Sequence, residues 1–207
     1  MAEMSGLYDP GEFDMAGFCV GLGERKRLID GSQVKAGDVV LGLASTGFHS
    51  NGFSLIRKVL EKSGLRLSDR LPGLAETAAD TLLTPTRIYV RSVLRLFDEG
   101  IPIRGMAHVT GGGIAGNLCR VIPEGLSARL DLGNWTVPPV FRALQTLGGI
   151  SEDEMFQAIN IGLGFLLVLP EEAEEQAVEM LGETGEQVIH VGEVVPGAER
   201  VVLDGLR

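Results

Sequence analysis

Apolar residues fill positions 39–44 almost without a break, and then recur at helical spacing at Phe53, Leu55, Ile56, Val59 and Leu60. The first run predicts a buried strand and the second a helix, joined by a polar loop with Gly47 and Gly52 inside it. Farther along, Ile88, Val90, Val93, Leu94, Leu96 and Phe97 supply the apolar face of a second helix. Thr84 is its expected N-cap, Pro85 its first helical residue and Gly100 its end. Strands are expected at 15–24, 128–132, 165–169 and 188–195. Helices are expected at 140–147, from Ser151 through 159 under a Ser-x-x-Glu capping box, and at 171–181 after Pro170. Strands and helices interleave, so the predicted fold class is α/β, a mixed β-sheet covered by helices. Residues 1–14 show no periodicity and read as an arm or linker remnant, leaving 15–207 as the domain.

The loop between the first strand and helix carries the first candidate chemistry. Gly47 and Gly52 let the backbone approach a ligand, and Ser45, Ser50 and Asn51 offer polar side chains beside a helix start, the layout of an anion site. Its Gly-x4-Gly spacing is that of a P-loop, but Phe53 follows the second glycine where a P-loop has Lys. The loop therefore reads as a phosphoester or ribose-phosphate site and not as a self-sufficient nucleoside-triphosphate site. The plain alternative is a capped strand-to-helix turn, against which stands His49 in a turn that already has its caps. Its simplest role there is hydrogen-bond donor to the phosphate, with proton transfer the second reading.

A second constellation follows His108: Thr110 and three consecutive glycines, Gly111, Gly112 and Gly113, ahead of a helical run. Each glycine costs a helix start up to about 1 kcal/mol relative to alanine. Contact with a negative group would account for that cost, and so would a flexible loop or a close helix contact. His108 reads equally well as a ligand contact or as a hydrogen-bonded core histidine. Gly21-Leu22-Gly23 begins a dinucleotide-type pattern, but Lys26 stands where the third glycine belongs.

Charge and composition narrow the class. The formal net charge of −10 argues against a nucleic-acid or anionic-membrane surface, so any phosphate must be held locally. Cys19 and Cys119 stand far apart in apolar contexts, which predicts buried, reduced thiols and suits the cytoplasm. No apolar run reaches the roughly twenty residues of a membrane span, and no metal cluster is legible.

Six ordered motifs carry a family resemblance: 2–8 (AEMSGLY), 14–18 (DMAGF), 45–55 (STGFHSNGFSL), 83–89 (LTPTRIY), 108–113 (HVTGGG) and 160–162 (NIG). Together they resemble the carboxy-terminal part of phosphoribosylformylglycinamidine cyclo-ligase, also called aminoimidazole ribonucleotide synthetase. Ser5 stands where that family usually has proline, and Ile159 and Ile161 where phenylalanine and cysteine are common. The resemblance implies the carboxy-terminal domain of an enzyme of purine biosynthesis that closes the imidazole ring of formylglycinamidine ribonucleotide. It implies ATP and Mg2+, both held mainly by an amino-terminal ATP-binding domain, and a cytoplasmic homodimer in which this part alone is inactive. It further implies substrate or phosphate contacts from Ser45, Gly47, Ser50, Asn51, Thr110, Gly111, Gly112 and Gly113, with Asn160, Thr84 and Thr86 beside them and His49 as the catalytic candidate. Two alternatives remain: a phosphate-binding or assembly module without turnover, and a paralogous ATP-dependent enzyme of the same fold.

Overall fold

The computed structural model describes residues 17–205, and the expected arm at 1–14 lies outside them. Among the described residues six strands, β1 (Asp38–Ala44), β2 (Gly105–His108), β3 (Leu126–Asp131), β4 (Leu163–Pro170), β5 (Val188–Pro196) and β6 (Val201–Asp204), form one sheet in the order β2-β4-β1-β5-β3-β6. Neighbours are antiparallel except β3 and β6, which run parallel, so the sheet is mixed as expected.

Both faces of the sheet are covered, which is why β1 and β4 are apolar nearly throughout. Val40, Ala107, Leu166 and Val168 point to one face, under α1 (Phe53–Ser63), α2 (Ala78–Leu82), α4 (Gly113–Leu118), α5 (Pro139–Gly148) and α6 (Glu152–Ala158). Val39, Leu41, Leu43, Leu167 and Leu169 point to the other, under α3 (Val90–Asp98) and α7 (Glu174–Glu183). Ser151 and Glu154 make the expected capping box, each side chain accepting from the other residue's backbone N–H.

Four expectations are corrected. Thr84 does not open a helix: its hydroxyl donates back to the Asp80 and Thr81 carbonyls at the end of α2, and α3 begins only at Val90. The physical reason is that the groups a helix start here would use are spent elsewhere: the Thr84 hydroxyl on the end of α2, and the Pro85 carbonyl on the Thr46 hydroxyl. Residues 17–24 form no strand, and Phe18, Cys19, Val20 and Leu22 stand exposed, so Cys19 is not the buried thiol expected and Cys119 is only half-buried; the alternation is real, but no neighbouring strand pairs with it among the described residues. The acidic helix starts after a 3-10 turn, Glu171–Ala173, three residues later than Pro170 suggests.

Candidate functional site

Strand polarity decides where the two glycine loops go. β1 and β2 flank β4 and both run antiparallel to it, so they are parallel to each other and release their following loops at the same end of the sheet. The start of β4, with Asn160, lies at that end too. Two glycine loops 60 residues apart are thereby brought together, and the Gly111 N–H donates to the Asn51 side-chain oxygen at 3.2 Å.

Loop 45–52 has an unusual backbone. His49 (φ 51°) and Ser50 (φ 58°) are left-handed without being glycine, and Gly52 (φ 73°) follows them. Two such residues cost about 1–2 kcal/mol each, so the surroundings must dictate the shape. Asn160 does part of this: it is 1% exposed, its amide donates to the Gly47 carbonyl at 2.8 Å, and its oxygen accepts from the Ser45 hydroxyl at 3.2 Å and the Gly162 N–H at 2.9 Å. Asn160 and Ser45 thus fasten the loop to the start of β4. Ser50 is left exposed and Asn51 half-buried.

His49 does the rest. Its ring is 3% exposed, and Nε2 accepts from the Thr46 N–H at 3.0 Å and the Arg87 N–H at 3.3 Å. Two donors on one nitrogen put the proton on Nδ1. That Nδ1 is buried without a partner, next to Gly164. Burial first, then the positive charges of His108 and Arg87, hold the imidazole pKa down at about 4, so the ring is neutral near pH 7. The expectation of His49 as a phosphate donor is revised on this geometry: both ring nitrogens are turned inward, and the ring pins the loop.

The segment before α3 packs against the loop along its length. The Thr46 hydroxyl donates to the Pro85 carbonyl at 2.8 Å, and the Ser50 and Thr86 hydroxyls stand 3.5 Å apart. Thr86 thus lies at the loop, while the Thr84 hydroxyl is turned onto α2. Tyr89 donates to the Ala44 carbonyl at 2.8 Å, and burial, helped by the Glu186 carboxylate, pushes its hydroxyl pKa up, so it remains a donor.

In the second loop the three glycines have different reasons. A Cβ on Gly113 would lie 1.8 Å from the Phe156 carbonyl oxygen, so α4 and α6 meet there, and the close-contact reading accounts for this position. Gly112 is left-handed (φ 95°) and caps α4, while Gly111 has open space where a side chain would go. Neither α1 nor α4 has a side-chain N-cap. Asn117 shapes the loop: it is 4% exposed, its amide donates to the Gly113 carbonyl at 2.7 Å and reaches the Thr110 and Gly111 carbonyls, and its oxygen accepts from the Thr110 hydroxyl at 3.2 Å. A polar residue within the otherwise small or apolar run 114–118 was the one sequence sign of that role. Among the described residues no three His, Cys, Asp or Glu side chains stand together to hold a metal.

Comparisons with known proteins agree with this architecture. The chain is 50% identical, over 97% of its length, to the phosphoribosylformylglycinamidine cyclo-ligase of Sorangium cellulosum, and it spans 60% of that relative. Among solved structures, hydrogenase maturation protein HypE superposes with a TM-score of 0.57 at 20% identity, over 84% of this chain and 51% of that one. T. maritima PurL complexed with FGAR superposes at 0.54 and 15% identity, over 88% of this chain and 28% of that one. Both show the fold alone. The model of the family described as AIR synthase related protein, C-terminal domain, matches residues 35–204, and the chain belongs to that family.

Proposed function

We propose that this chain is the carboxy-terminal part of a phosphoribosylformylglycinamidine cyclo-ligase, and that loops 45–52 and 110–113 together grip the phosphate end of the formylglycinamidine ribonucleotide. The observation that carries the reading is the Gly111 N–H to Asn51 bond, which makes one edge out of two loops. Ser50, Asn51, Gly111 and Gly112 are its accessible members, and Ser45, Gly47, His49, Thr110 and Asn160 hold them in place. Thr86 adds a hydroxyl beside Ser50. A neutral, hydrogen-bonding edge of this kind suits a phosphate in an acidic protein, since backbone N–H groups supply partial positive charge without added Lys or Arg.

Bound ATP with Mg2+ would supply activation of the formyl oxygen. The described residues do not fit that pair: Phe53 replaces the P-loop Lys and no ligand cluster is present among them. ATP and Mg2+ therefore belong, in this reading, to an amino-terminal ATP-binding domain of a cytoplasmic homodimeric enzyme. This chain's share is positioning, which fixes the amidine nitrogen against the formyl carbon and removes an entropic part of the barrier.

The test is binding of the ribonucleotide against its dephosphorylated riboside. Loss of the phosphate should weaken binding by about 100-fold, the worth of one to two charge-assisted hydrogen bonds. Equal binding would refute the grip. Alone, the chain should bind the ribonucleotide and convert none of it in an ATP-dependent cyclisation assay; turnover would refute the assignment of ATP to a further domain.

A further inference from the structure

The Glu186 side chain is 3% exposed and lies on neither loop. One carboxylate oxygen accepts from Arg87 Nε at 2.6 Å and the other from the Ser92 hydroxyl at 2.6 Å. Arg87 is gripped a second time through Nη2, which donates to the Gly185 carbonyl at 2.6 Å. A buried carboxylate is expensive unless its acceptors are filled, and here both oxygens are.

This arrangement immobilises the Arg87 side chain, while the same residue's backbone N–H is one of the two donors on His49 Nε2. The two neighbours before it complete the contact, Pro85 through its carbonyl to Thr46 and Thr86 through its hydroxyl to Ser50. Segment 85–87 is thus tied to the site loop on one side and to the entry of β5 on the other. Without the second tie, the extended segment would rest on the loop alone. We infer that Glu186 is a positioning residue for the anion site, setting the left-handed shape of loop 45–52 through Arg87 and His49. Its consequence for phosphate affinity rests on the function proposed above; its consequence for His49 does not.

Two readouts separate these. The first is NMR titration of the His49 ring, whose neighbours in charge are His108 and Arg87. In Glu186→Ala, Arg87 loses one of its two anchors and keeps only the Nη2 bond to the Gly185 carbonyl, the donors on His49 Nε2 loosen and the ring opens toward water, so the midpoint should rise from about 4 by about 1 unit or more toward the ordinary 6.5. The second is inorganic phosphate affinity, followed through the Ser50, Asn51 and Gly111 amides, which should fall by about tenfold. Glu186→Gln keeps one acceptor oxygen and puts an NH2 donor in place of the other, so it should move both readouts by a smaller amount and serves if the alanine variant fails to fold. Ser92→Ala touches the same carboxylate without passing through Arg87 and should leave both readouts within about twofold, although it costs stability through a lost buried hydrogen bond. An unchanged His49 midpoint in the folded Glu186 variants, or an equal shift in Ser92→Ala, overturns the inference. A shifted midpoint in a protein whose wild type shows no phosphate response upholds the brace and refutes the proposed function.

Discussion

Gly164→Ala isolates the packing around His49. Gly164 is the extra residue of a bulge, since Leu43 pairs with Phe165 and Ala44 with Leu163. Its backbone is not in the left-handed region, so alanine suffers no conformational penalty and space alone decides. An added Cβ would lie 2.1 Å from the Tyr89 hydroxyl oxygen, 2.5 Å from His49 Cε1 and 2.9 Å from Nδ1. Those rings are 4% and 3% exposed, so neither can swing into solvent. Relief requires a movement of about 1 Å, which breaks the Tyr89 bond to Ala44 and disturbs the Nε2 contacts. Overpacking of about 1–3 kcal/mol plus a lost buried hydrogen bond of about 1 kcal/mol gives about 3 kcal/mol of destabilisation. For a chain of this size that lowers Tm by about 6–12 °C in a calorimetric scan. Gly116→Ala is the control: it lies within α4 with nothing near its Cβ, and should be neutral or stabilising by up to about 1 kcal/mol. A Gly164→Ala protein whose Tm stays within 2 °C of wild type, about the effect of 1 kcal/mol or less, would refute the packing argument.

Three further outcomes follow from the same contacts. Asn160→Ala removes a buried side chain with three hydrogen bonds and should cost about 2–4 kcal/mol in urea unfolding, at unchanged m-value. Asn51→Ala cuts the cross-loop bond at a half-buried position, so it should cost no more than about 1 kcal/mol in stability, while weakening phosphate about tenfold by titration. The His49 pKa of about 4 in the folded state lies below the 6.5 of an unfolded chain, so the unfolded state binds more protons on acidification. His49's contribution is therefore complete above pH 6.5 and is lost as pH falls through 4, amounting to about 3 kcal/mol in urea unfolding compared between pH 7 and pH 4.

The parts of the fold that sequence revealed are those where burial imposes a period. β1 and β4 are covered on both faces and so read as apolar runs, and α1 shows its one buried stripe at Ile56 and Val59. Short edge strands were harder: β2 at four residues mixes the exposed His108 with the buried Gly105 and Ala107, and β6 lies at the opposite edge. Thr84 misled because Thr-Pro-Thr satisfies local capping rules, whereas the segment's groups are spent on the α2 end and on loop 45–52. Within the site, the glycines and Asn51 were legible as loop chemistry. The inward turn of His49 was not, because it depends on Arg87, 38 residues away, and on Glu186, 99 residues beyond that. Asn117 was harder to read for a related reason: apart from the Thr110 hydroxyl its partners are main-chain carbonyls, which leave no mark in the sequence.

In the proposed function, two loops distant in the chain act as one anion site. Amide NMR of the chain titrated with inorganic phosphate tests it most directly. Ser50, Asn51, Gly111 and Gly112 should shift together and fit one dissociation constant; shifts confined to one loop, or two constants for the two loops, would rule out a shared site.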